Sequence, residues 1–192
     1  MKNLLALFEI TGNGSQPYRE AGWNVVQVDI QAGIDILEWN YCQYLPDYFR
    51  GIIAFPPCTA YAGSGARWWA DKDAAGETEY FDSLVRRMLE IIEYFRPGLQ
   101  FWYAENPVGR IAKRVPEIAK YRLLSFNPCE FGEPYTKKTI LFGEFNPLLV
   151  RHHVKPTEGS KMHTKFGPGR NRANLRSATP KGFSKAFFDA NQ

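Results

Sequence analysis

Two short stretches hold side chains of the kind that make and break bonds. Phe55-Pro56-Pro57-Cys58-Thr59 presents a thiol directly after two prolines, whose fixed backbone angle stiffens the chain and aims the next side chain in one direction. A cysteine so held is a candidate nucleophile where a helix N-terminus or a nearby cation stabilises its thiolate. Free cysteines are otherwise commonly small core residues. Glu105-Asn106-Pro107 offers a carboxyl that can serve as a partly protonated acid or as a clamp for a heterocycle; taken alone it is equally a surface glutamate. In Thr11-Gly12-Asn13-Gly14-Ser15, two glycines let the backbone turn sharply and approach a ligand closely. Asp29 follows, and an acid there can accept hydrogen bonds from both hydroxyls of a ribose. Loop and acid together suit an adenosine-containing cofactor, although Pro17 takes the third position of a G-x-G-x-x-G pattern.

These residues need elements to place them. Residues 4–8 (LLALF) read as a short buried strand, followed by a short helix in PYREAG with Ser15 as N-cap and Gly22 as its stop. Residues 23–30 (WNVVQVDI) and 51–55 (GIIAF) read as the second and third strands. From Tyr80 to Phe95, the residues Phe81, Leu84, Val85, Met88, Leu89, Ile92 and Phe95 recur at helical spacing, and Pro97-Gly98 ends that helix. Residues 99–104 form a fourth strand, buried on both faces, and 123–126 with 138–143 form a later hairpin. Strands alternating with helices predict an α/β sheet, parallel through its first four strands. In open α/β sheets ligands bind at the carboxyl ends of the strands. The glycine loop, Asp29, Cys58 and Glu105 all fall there.

With 192 residues and 44% apolar content the chain can build one hydrophobic core. No apolar run approaches the roughly 18 residues of a membrane span. The first residues, MKNLLALFEITGNGS, read as a strand rather than a secretory signal, so a cytoplasmic protein is expected. Cys42, Cys58 and Cys129 are too widely spaced for a CxxC site. His152, His153 and His163 match no zinc signature, and no metal is expected. The net charge of +4 is unevenly spread. Residues 1–150 carry 15 Lys and Arg against 18 Asp and Glu, residues 151–192 nine against two. A basic segment beside a near-neutral body is a footprint for a phosphate-bearing partner, or a solvated surface.

A glycine turn after strand one, an acid after strand two, Pro-Pro-Cys after strand three and Glu-Asn after strand four together resemble the cytosine-5 DNA methyltransferases. The match in order runs over roughly residues 4–143. LFEITGNGSQPYREAGWNVVQVDI, AFPPCTAYAGSG, AENP and EPYTKKTILFG look like the small methylase-like proteins of bacteriophage genomes, which would work in the host cytoplasm. The resemblance implies a Rossmann-like S-adenosylmethionine (SAM)-dependent methyltransferase fold, α/β, with a mostly parallel sheet and a C-terminal hairpin. It implies SAM as cofactor and DNA as partner, with the target base flipped out or already unpaired, because carbon 5 is unreachable inside a duplex.

Carried over to this chain, the resemblance makes Cys58 the nucleophile on carbon 6 of cytosine and Glu105 the acid at ring nitrogen 3 and the exocyclic amine. It assigns Phe8, Glu9, Gly12, Gly14, Asp29, Ile30, Asp35 and Pro57 to the cofactor, with Asp29 on the ribose, Ile30 on the adenine and Asp35 accepting from the adenine amine. Asn106, Ser64, Lys137, Thr139, Arg170, Arg172 and Arg176 are assigned to the substrate. Ala62-Gly63-Ser64-Gly65 becomes a mobile loop closing over the base. Three departures from the family stand out. Pro107 replaces the usual Val. Lys137 and Thr139 replace two arginines, of which the second holds the base. Between Thr139 and Arg176 there is room only for a short basic segment, with Arg151, His152, His153, Lys155, Lys161, His163 and Lys165, where larger relatives carry a recognition domain. The expected organisation is a catalytic domain in 1–150, a basic loop in 151–175 and a C-terminal helix in 176–192 that returns to the cofactor site. Relaxed or very short sequence specificity follows, with a pyrimidine nucleotide or RNA as alternative substrates and a non-catalytic nucleic-acid-binding protein as the competing reading. Trp68 and Trp69 are either base-stacking platforms or core.

Overall fold

The computed structural model describes residues 1–160 and 177–192. Six strands, β1 (Asn3–Leu7), β2 (Asn24–Val28), β3 (Gly51–Ala54), β4 (Phe101–Pro107), β5 (Arg122–Phe126) and β6 (Thr139–Glu144), form one sheet in the order β2-β1-β3-β4-β6-β5. β1 pairs in parallel with β2 and β3, and β3 with β4. β6 runs antiparallel to β4 and to β5. The fold is therefore α/β with a mostly parallel sheet closed by a hairpin, as the sequence predicts.

The central strands β1 and β3 read as apolar runs because both faces are covered. Side chains alternate along a strand, so Leu5 and Leu7 of β1 enter one core while Leu4 and Ala6 enter the other. On the first face lies α3 (Glu77–Phe95), which buries Leu84, Val85, Met88, Ile91, Ile92 and Phe95. On the second lie α1 (Gln16–Glu20) and the C-terminal helix α6 (Lys181–Ala190), through Tyr18, Phe183, Phe187 and Phe188. Among the described residues the remaining short α-helices are α2 (Trp69–Ala74), α4 (Ile111–Arg114) and α5 (Pro116–Ala119). No helix among the described residues is long and apolar enough to cross a membrane.

Two boundaries differ from the sequence reading in ways that matter. Strand two stops at Val28; Asp29 leaves it as the N-cap of a single 3-10 turn, accepting from the Gln31 amide at 2.8 Å. Strand four continues to Pro107, because antiparallel β6 supplies partners for its last residues, Asn106 opposite Ile140 and Pro107 opposite Thr139. Glu105 and Asn106 thus sit inside the strand rather than in the loop after it. A strand holds side-chain direction more tightly than a loop.

Candidate active site

Apart from Ser64, the sequence-predicted site residues among those described leave the sheet along one edge, in the order of its strands. Asp29, Ile30 and Asp35 follow β2; Phe8, Glu9, Gly12 and Gly14 follow β1; Pro57 and Cys58 follow β3; Glu105 and Asn106 end β4; Lys137 and Thr139 enter β6. Neighbouring strands lie roughly 4.8 Å apart, so the row is a graded series of positions across one face of the edge. Arg170, Arg172 and Arg176 lie outside the described residues.

The first turn is built by strain and by a buried acid. Phe8 has φ 57°, and it is the one non-glycine residue with positive φ among the described residues. Such a conformation costs of order 1–3 kcal/mol and persists where the surroundings enforce it, commonly at functional sites. Here the Phe8 amide donates to the Val28 carbonyl at 2.8 Å, extending the β1–β2 ladder into the turn. Glu9 is buried, and its Oε1 accepts from the amides of Gly14 at 2.5 Å and Ser15 at 3.0 Å, while Oε2 has no hydrogen-bond partner. Burial is the main influence on this carboxyl and raises its pKa. Gly14 has to be glycine: a Cβ would stand 2.6 Å from the Phe55 ring and 2.8 Å from Glu9 Oε1. The side-chain amide of Asn13 reaches the Thr179 carbonyl at 3.4 Å, so the segment entering α6 packs beside this loop.

The turn bearing Cys58 is fastened from several directions. Asn106 Nδ2 donates to the Pro56 carbonyl at 3.0 Å, and its Oδ1 is buried without a partner. The Cys58 carbonyl accepts from the amides of Tyr61 and Ala62, each at 2.9 Å. Gly109 lies so close to this turn that a Cβ would stand 1.9 Å from the Tyr61 carbonyl oxygen. Ser64 is exposed on the two-turn 3-10 helix Gly63–Trp68, whose first amide donates to the Val108 carbonyl at 3.0 Å. Trp68 is half exposed, whereas Trp69 packs under the Arg110 guanidinium.

The sequence reading missed the groups that hold this turn. Arg110 donates from Nε to the Ala60 carbonyl at 2.9 Å and from both terminal nitrogens to Asp73 at 2.7 Å, with Thr78 at 3.1 Å. This fork holds the Asp73 carboxyl down at about 2. Arg114 makes a second fork to Asp82, which also accepts from the Tyr61 hydroxyl at 2.9 Å. Nothing local distinguishes Arg110 or Asp73 from ordinary surface charges; the pairing exists only once α2, α3 and the exit of β4 are packed.

At the far end of the row, Glu105 and Lys137 form an ion pair at 3.5 Å, and both are buried, 6% and 8% exposed. The Thr139 hydroxyl lies 3.2 Å from Glu105 Oε1 and 2.9 Å from the Lys137 carbonyl. Lys137 and Thr139 therefore converge on one carboxyl, that of Glu105. Among the described residues no three His, Cys, Asp or Glu side chains are grouped to hold a metal.

Solved structures provide a comparison for this architecture. One crystal structure, of a protein provisionally assigned as a DNA modification methyltransferase and encoded within an E. coli prophage, is similar in structure over 74% of this chain, with TM-score 0.51 and 16% identity. The two proteins share this α/β fold. This chain spans 46% of that protein's length. No family model and no curated protein matches the sequence.

Proposed function

We propose that this protein transfers a methyl group to carbon 5 of cytosine in DNA, through a covalent adduct with Cys58. One observation carries the reading: the row along the sheet edge has the cofactor-type loop over β1 and β2, the thiol over β3 and the buried carboxyl on β4. That order leaves the thiol between a methyl donor on one side and a base on the other. The shared α/β fold and the prophage protein with its assigned DNA substrate support it.

The residues present fit SAM. Ile30 is 64% exposed beside buried Asp29, giving an apolar surface for a heterocycle next to an acid with acceptor capacity beyond the Gln31 amide. Phe8 and the glycine turn border the same space. When bound, SAM supplies an electrophilic methyl group. The chain supplies the rest. Cys58 adds to carbon 6 and turns carbon 5 into a nucleophile. Glu105, with Lys137 and Thr139 beside it, holds the polar edge of the base and stabilises the charge that gathers there. Exposed Arg151, Lys155 and Lys138 offer phosphate contacts, which position DNA without reading its sequence. Short or relaxed sequence specificity follows.

The test is transfer of tritiated methyl from SAM to single- and double-stranded DNA, with a pyrimidine nucleotide and RNA in parallel. A second assay traps the adduct on DNA containing 5-fluorocytosine. Label in 5-methylcytosine and a trapped adduct that Cys58→Ser abolishes are the expected results. Salt-sensitive DNA binding with no transfer, unaffected by Cys58→Ser, would overturn the reading in favour of a binding protein.

A further inference from the structure

Building on the cytosine-5 reading, we propose that Lys137 is the group that protonates ring nitrogen 3, and that the Glu105–Lys137 pair reads the cytosine edge. The argument starts from the cost of the pair. Two charges removed from water lose hydration that their attraction at 3.5 Å scarcely returns, and apolar residues would join β4 to β6 equally well. A buried pair at the catalytic edge of the sheet is explained by chemistry rather than by stability. Among the described residues, Glu105 is the one polar partner of the Lys137 ammonium, which carries three donors.

The polarity of the pair matches one base. An ionised carboxylate only accepts and an ammonium only donates. Cytosine offers an amine donor beside an acceptor nitrogen, so Glu105 accepts from the amine and Lys137 donates to nitrogen 3. Uracil and thymine present an oxygen acceptor and an N–H donor at the same places, and both contacts fail.

The proton moves as follows. The Cys58 thiolate forms the S–C6 bond; the C5–C6 pair becomes a C4–C5 bond, and the C4–N3 pair moves onto nitrogen 3. Nitrogen 3 takes a proton from Lys137 Nζ, which keeps the electron pair as a neutral amine. When carbon 5 gains its new substituent, the C4–N3 bond re-forms and the proton returns to Lys137. Water then takes the carbon 5 proton, and the thiolate leaves with the S–C6 pair. An arginine cannot replace lysine in this role, because a guanidinium does not give up its proton.

Release of tritium from DNA labelled at carbon 5 of cytosine reports addition and protonation without any methyl donor. The full chain should release it, and Lys137→Arg should lose roughly 10²–10⁴-fold in rate, the usual worth of a proton donor. Its DNA retention on filters should stay near wild type, because the charge is kept. Wild-type release by Lys137→Arg overturns the proposal. Should that variant fail to fold by circular dichroism, Glu105→Gln decides. Its amide carbonyl still accepts from the amine, so the loss should stay within about tenfold, the difference between a charge-assisted and a neutral hydrogen bond. A loss as large as that expected for a proton donor would return the proton to Glu105 and overturn the proposal. Absence of both tritium release and methyl transfer in the wild type overturns the cytosine-5 reading itself, and this inference with it.

Discussion

Asn106 donates from Nδ2 to the carbonyl of Pro56 at 3.0 Å, across the seam between β3 and β4. The turn that carries Cys58 is thereby fastened to the strand that carries Glu105. A one-residue offset between the two strands would break that bond and separate thiol from carboxyl.

Asn106→Ala should leave the Pro56 carbonyl without its donor in a buried place. The expected cost is about 1–3 kcal/mol, read from urea denaturation. Adduct formation with 5-fluorocytosine DNA should fall as well, because the turn loses its tie. A variant of wild-type stability and unchanged trapping would show that the bond positions nothing.

Arg110→Ala removes the contacts to Ala60, Asp73 and Thr78 together. Because Asp73 is partly exposed, the expected cost is about 2–3 kcal/mol, below that of breaking a fully buried pair. Hydrogen exchange should quicken across residues 69–78 and around Tyr61. Asp73 adds a pH signature. Its folded pKa, about 2, lies below the ordinary 3.8, so the stability it contributes is complete above pH 4 and is lost as pH falls toward 2. Loosening of residues 69–78 in that window should be seen in the wild type and be absent from Asp73→Asn, which has no carboxyl to titrate.

Glu9→Gln tests the opposite sign. Burial raises the folded pKa of Glu9 above 4.5, so its favourable contribution is full at low pH and declines as pH rises through the folded value. The stability of Glu9→Gln relative to wild type should therefore increase from pH 4 upward, in paired urea titrations. A difference independent of pH would mean that the carboxyl does not titrate in this range.

Gly14→Ala should push a methyl group into the Phe55 ring and Glu9 Oε1. Overpacking of this kind costs roughly 1–3 kcal/mol. SAM affinity by calorimetry should fall further than stability does, because the same turn borders the space proposed for the cofactor. Gly22→Ala is the control: that glycine has positive φ but an open surround, so it should lose stability and spare the cofactor.

Much of the scaffold was readable from local pattern. The apolar runs of β1, β3 and β4, the helical spacing of α3 and the two halves of the hairpin each lie within a few neighbouring residues, where period and burial are coupled by backbone geometry. The end of β4 was not readable. Its last three residues are strand because β6 lies against them, and no property of Glu105-Asn106-Pro107 by itself says so.

By itself the sequence determined the α/β class and singled out Cys58 and Glu105 as candidate chemical groups, because side-chain chemistry and hydrophobic period are properties of short segments. Only the tertiary structure decided which charges meet. Lys137 reaches Glu105 across 32 residues, and Arg110 reaches Asp73 across 37. Both pairings depend on strand register and helix docking, in which a one-residue slip turns a side chain to the opposite face. Charges on a linear chain carry no such information, since their partners are chosen by the packing of the apolar residues between them.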